Sequence, residues 1–117
     1  NIDLLKIDTQ GHEGEVLAGA KNFLSKEKIK IIEVEFILGI AYENDLNFSQ
    51  IEKYLIPNGY KLIAIDEAGN VLAHSSYQLT LIYVNQEIFK TIESIHKKNV
   101  NIKNVTGEVN YKKPFNV

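Results

Sequence analysis

LLKIDTQGHEGEVL, residues Leu4 to Leu17, changes its period in the middle. Ile2 to Ile7 is a short, mostly apolar run, as expected of a strand buried on both faces. It stops at Asp8, and Asp8 to His12 reads as a turn. From Glu13 the period becomes helical, with Val16, Leu17, Ala20, Phe23 and Leu24 on one stripe. Glu13 and Glu15 fall in the first turn, and Lys21 and Lys26 at or beyond the last, as the helix dipole favours. A strand thus feeds a helix through a turn rich in carboxylates, with a glycine, Gly11, at its centre.

The pattern continues outward. Ile29 to Ile37 is a second strand, rich in β-branched residues, and Gly39 to Leu46 a loop. Asn47 offers an N-cap, with Gln50 three positions on, and Phe48, Ile51 and Leu55 form the apolar face of a helix that Pro57-Asn58-Gly59 stops. Tyr60 to Asp66 is a third strand. Glu67 to Asn70 looks like a hairpin turn into a short strand, Val71 to Ala73, and Leu79 to Val84 is a further strand. Glu87 to Lys97 is helical through Ile88, Ile92 and Ile95. The order β-α-β-α-β-(β)-β-α predicts an α/β fold with parallel crossovers and antiparallel pairing near its end. Residues 1–97 form the body, and residues 98–117 a polar tail or peripheral hairpin.

Composition narrows the function. The 117 residues suit one domain or a piece of one, and 44% hydrophobic residues provide an ordinary core. A net charge of -2 gives no support for nucleic acid or a membrane surface as partner. No apolar run approaches the roughly 20 residues of a membrane span. Without cysteine there is no disulfide framework or zinc-thiolate site. The sequons at Asn47 and Asn104 are read as chance, and a cytoplasmic setting is expected. The chain opens on Asn1 and enters a strand at once, which suggests an excised fragment.

In open α/β sheets, ligands bind beyond the carboxyl ends of the strands. Asp8 lies there on the first strand and Glu35 near it on the second. Alternation places Lys6 and Asp8 on one face, about 7 Å apart at the backbone. They either pair structurally at a sheet edge or converge on a ligand. In the second case a carboxylate deprotonates a hydroxyl and an ammonium stabilises the oxyanion. Glu33 and Glu35 share a face of a strand that should be central, so each needs a partner or water. Gly11 supplies either a positive φ or close backbone approach to a ligand. Glu13 either complements the helix dipole or faces the site, and in both cases disfavours an anionic ligand. No GxGxxG, Walker loop or G-x-S-x-G elbow occurs. Asp8, Gln10, Glu13 and His12 are the residues to consider for a metal; an all-oxygen magnesium site among them is weakly supported, and no metal is expected.

These residues carry a resemblance. LLKIDTQGHEGEVLAGA resembles the K-I-D-x-[EQ]-G-x-E-x-x-V-L-x-G signature of the FkbM-type, S-adenosylmethionine-dependent methyltransferases, through Lys6, Asp8, Gln10, Gly11, Glu13, Val16, Leu17 and Gly19. Glu35, Tyr42, Phe48, Ile51, Leu55, Gly59 and Tyr60 fit the same family downstream, and LTLIYVN resembles its closing strand. Thr80 stands where many relatives carry an aspartate, so no role is carried onto it.

The resemblance implies the C-terminal half of a Rossmann-like class I methyltransferase fold. Ile2–Ile7 would be its fourth strand, and its last two strands an antiparallel pair. It implies S-adenosylmethionine as cofactor, although the family's glycine-rich loop and second-strand acidic residue have no counterpart in this chain. Asp8, Lys6 and Glu35 are then the candidate catalytic residues, with Gln10, Gly11, Glu13 and Tyr42 near substrate or cofactor. The expected reaction is O-methylation of a sugar or another small-molecule or glycan acceptor. The competing expectation is a non-catalytic α/β binding or assembly module. Separated from its first strands, the chain would expose Ile2–Ile7 as an open edge and pair there as a homodimer.

Overall fold

The structure is a computed structural model, and it describes residues 1–38, 48–67 and 77–100. Its elements run β1 (Ile2–Ile7), α1 (Glu13–Gly19), α2 (Lys21–Ser25), β2 (Ile29–Leu38), α3 (Phe48–Leu55), a 3-10 turn (Ile56–Asn58), β3 (Lys61–Glu67), β4 (Tyr77–Val84) and α4 (Gln86–Val100). The expected short strand Val71–Ala73, the loop Gly39–Leu46 and most of the tail lie outside the described residues.

One four-stranded sheet has the order β1-β2-β4-β3. β1 and β2 are parallel, with Lys6 beside Glu33 and Ile7 beside Val34. β4 runs antiparallel to both β2 and β3, so β1, β2 and β3 share one direction. The fold is therefore α/β with a mixed sheet whose final strand is antiparallel, as expected. The last strand in sequence sits inside the sheet, and β3 takes the outer edge with a register shift between Leu62 and Ala64. Such an irregularity twists an edge and makes it a poorer template.

Alternation sorts the side chains. Ile7, Ile32, Val34, Phe36, Leu81 and Tyr83 join Leu17, Leu24, Ile51 and Leu55 in one core, so α1, α2 and α3 all cover the same sheet face. The buried hydroxyls are satisfied: Tyr60 Oη donates to the Ile29 carbonyl at 2.8 Å, and Tyr83 Oη to Glu52 Oε1 at 2.7 Å. The opposite face carries Leu4, Lys6, Glu33, Glu35 and Ile82, none of them fully buried.

Two expectations need correcting. β1 is not buried on both faces: only Ile7 is fully buried, and Leu4 is 52% exposed. The reason is that, among the described residues, α1, α2 and α3 cover only the other face of the sheet. The helix expected from Glu13 through Leu24 divides at Ala20, whose N–H reaches both the Val16 and Ala18 carbonyls. Leu17 and Leu24 still point inward, but Phe23 is 45% exposed.

Asn85, a polar residue only 2% exposed, joins the sheet to α4. Its Oδ1 accepts the Ile88 N–H at 2.9 Å, and its Nδ2 donates to the Glu27 carbonyl at 3.3 Å. It is thus the N-cap of α4 and also ties that helix to the end of α2. Lys61 Nζ stands 4.7 Å over the Phe89 ring, a second tether. No helix among the described residues is long and apolar enough to cross a membrane.

Candidate functional site at the carboxyl ends of β1 and β2

The turn after β1 is held by Glu13. Its carboxylate is only 7% exposed and faces back into the loop. Oε1 accepts the Thr9 N–H at 3.0 Å and the Thr9 hydroxyl at 3.1 Å, and Oε2 accepts the Gly11 N–H at 3.1 Å. His12, the N-cap by position, makes no side-chain cap, and the first-turn carboxylate of Glu13 serves amides of the turn before the helix. The logic is that of a capping box, with the acid reaching backwards. Glu13 organises the loop from inside.

That loop contains two successive residues of positive φ, Gln10 at 55° and Gly11 at 102°. Gly11 adopts this region without steric cost, whereas Gln10 does not. Gly11 is also buried, and its N–H is engaged by Glu13. The left-handed backbone carries the Gln10 side chain back over the strand ends. There Nε2 donates to Asp8 Oδ1 at 2.9 Å and lies 3.4 Å from Glu35 Oε2.

Asp8 and Glu35 are brought together because β1 and β2 are parallel neighbours in register, with Ile7 opposite Val34. Both carboxylates lie within reach of the one Gln10 Nε2, which makes them close neighbours. Partial burial, then the hydrogen bond to Asp8 and its charge, and then the charge of Glu13 push the Glu35 carboxyl up to about 7, with Lys6 opposing. Two carboxyl groups in contact resist ionising together. Lys6 itself extends to Glu33, its register partner, with Nζ 3.3 Å from Oε1. Lys6 is therefore paired with Glu33 rather than with Asp8, the partner expected under the structural alternative.

The structure thus gathers Asp8, Gln10 and Glu35, places Lys6 one step back along the same face, and turns Glu13 and Gly11 inward. Tyr42 lies outside the described residues. The bridging by Gln10 was not legible beforehand, because it depends on a left-handed backbone at a non-glycine residue. The inward turn of Glu13 had a signal: Thr9 and Gly11 lie just upstream of a helix start that has no serine, threonine, aspartate or asparagine cap.

This arrangement can take a proton from a hydroxyl presented above β1 and β2, and its charge favours a neutral or cationic guest over a phosphate. Among the described residues no group of three or more acidic, histidine or cysteine side chains forms a metal site. Comparison with the curated proteins and with the solved structures finds no match. The methyltransferase FkbM domain matches residues 1–62, which include β1, the whole turn and β2. That span is more than half of the chain, and the chain belongs to the FkbM methyltransferase family.

Proposed function

We propose that this chain forms the acceptor side of an S-adenosylmethionine-dependent O-methyltransferase acting on a hydroxyl of a sugar or another small-molecule or glycan acceptor. One observation carries the reading beyond family membership: Asp8 and Glu35 meet at the carboxyl ends of parallel strands. In such sheets that position is where ligands bind. The parallel pair β1–β2 and the antiparallel last pair support placing these strands in the C-terminal half of a Rossmann-like fold.

The described residues fit the cofactor through charge, since carboxylates at the strand ends attract a sulfonium cation. When bound, S-adenosylmethionine supplies the electrophilic methyl group. Transfer to an alcohol releases one proton, and the chain must accept it. Asp8 is positioned to do so, with Glu35 as its neighbour and Gln10 across both. Lys6 balances the anionic strand ends from its bridge to Glu33. The lack of cysteine agrees with a cytoplasmic setting.

The test is transfer from methyl-labelled S-adenosylmethionine by the intact protein carrying residues 1–117, against a panel of neutral sugars and glycans. Label in an acid-stable ether product, lost in Asp8→Asn, is the expected result. Transfer to amines or carboxylates alone would overturn the acceptor class. No transfer to any acceptor, with no cofactor binding, would favour a non-catalytic module.

A further inference from the structure

We propose that Gln10 is the positioning residue of this site: its side-chain amide clamps Asp8 and Glu35 and holds the two carboxyl groups together as a single acid–base unit. This rests on reading Asp8 and Glu35 as the proton-accepting pair, and assigns the residue that regulates it.

An amide nitrogen carries two hydrogens, so one Gln10 side chain can serve two carboxyl oxygens at once. Its Nε2 lies 2.9 Å from Asp8 Oδ1 and 3.4 Å from Glu35 Oε2. The strands bring the two acids together, but Asp8 is exposed, and without a partner its side chain would rotate into water. A donor placed across both acids opposes that rotation. The chain accepts a left-handed backbone at Gln10, a conformation costing about 1–2 kcal/mol for a side-chain-bearing residue. The loop around it is fixed independently, because Glu13 binds Thr9 and Gly11 on either side. The Gln10 amide nitrogen, for its part, is directed to the two acids.

Several charges face Glu35 among the described residues. Asp8 and Glu13, from the turn and α1, raise its proton affinity, while Lys6 on β1 lowers it. On its own strand, Glu33 is bridged to Lys6. Its register partner on β4 is Thr80, which carries no charge. Glu35 releases its proton as the pH rises through about 7, so proton acceptance at this carboxyl switches on across neutrality.

Removing the Gln10 side chain has two opposed effects. It takes away a long hydrogen bond to Glu35, which alone raises the affinity for a proton. It also admits water and lets Asp8 swing away, which lowers that affinity. At 3.4 Å the bond to Glu35 is long and therefore weak, so the second effect is expected to dominate. The experiment is carbon-13 NMR titration of side-chain carboxyls in wild type, Gln10→Gly and Gln10→Asn. Glycine keeps the positive φ without strain. Asparagine also tolerates it, but is one methylene too short to span both acids.

Wild type should show a Glu35 carboxyl titrating near 7. Both variants should lower that midpoint by about one pH unit or more, with amide spectra that keep the fold. In the active protein, the pH–rate profile should move by the same amount. A wild-type Glu35 midpoint near 4.5, or midpoints unchanged or raised in both variants, would overturn the proposal. The titration needs no turnover, so a shifted midpoint in a protein that transfers no methyl group would sink the methyltransferase reading alone.

Discussion

Asp8 and Glu35 differ in how much of their role was readable beforehand. Their residue types, and their places at strand ends, follow from the apolar runs before them. Their contact does not, because it requires β1 and β2 to be adjacent, parallel and in register. If Asp8 accepts the acceptor's proton, Asp8→Asn should lower turnover by about 10²–10⁴-fold with little change in melting temperature. An equally active variant would make Asp8 structural. Glu35 gives a second prediction, with its sign fixed by linkage. Its folded carboxyl titrates at about 7, against an ordinary 4.5. Between those values the native state holds a proton that the unfolded state has released, so stability falls as the pH rises through the window. Glu35→Gln removes that dependence. Its melting temperature should gain on wild type between about pH 5 and pH 8, and a constant difference would contradict the raised affinity. Glu13 belongs to a different class. Removing a buried carboxylate that serves two backbone N–H groups leaves donors unsatisfied, each costing about 1–3 kcal/mol. Glu13→Ala should therefore destabilise the chain by about 2–4 kcal/mol in urea unfolding, and a loss below about 0.5 kcal/mol would place water behind the loop.

Among the described residues, the strands and helices expected from periodicity are those observed, with departures where local signals compete. Alternation in β2 is clean, Ile32, Val34 and Phe36 pointing into the core and Glu33 and Glu35 away from it. The division of the first helix at Ala20 leaves the apolar stripe nearly intact, so hydrophobic period alone gives no sign of it. The start of α4 has a clear chemical cause in Asn85, whose cap follows directly from the end of β4. The stop after α3 is the best-marked feature: Gly59 sits at φ 83°, a C-cap in the left-handed region. A Cβ there would lie 2.9 Å from Glu27 Oε1. That oxygen ends a flexible side chain and can move aside, whereas the backbone conformation cannot relax. Gly59→Ala should cost about 1–2 kcal/mol from φ alone. Adding Glu27→Ala should not restore the loss, and a full rescue would make the clash the cause instead.

On the scale of the whole molecule, the sheet has two unlike edges, and local pattern could not assign them. Placing β4 between β2 and β3 is a decision of tertiary packing, made where Leu81 and Tyr83 enter the core beside Val34 and Ile32. β3, the outer edge at one side, carries a register shift. β1, at the other, pairs regularly with β2 and has no strand on its free side among the described residues. Its middle residue Leu4 is half exposed, and Lys6, the only cation on the strand, is drawn towards Glu33. An edge so weakly guarded is a template for pairing. A two-fold axis perpendicular to the sheet preserves its faces, so each residue must meet one of the same alternation. Centred on Leu4, this sets Leu4 against its own copy and Lys6 against Ile2, burying the exposed leucine and keeping the two lysines apart. We therefore expect the 117-residue chain to form a two-fold dimer through β1, seen as concentration-dependent mass in light scattering at micromolar protein. Leu4→Lys puts two like charges on the axis and should return a monomer with unchanged secondary structure. If the wild-type chain stays monomeric at every concentration and the Leu4–Ile7 amides exchange freely, the edge is guarded by something other than a second copy, and the dimer is wrong.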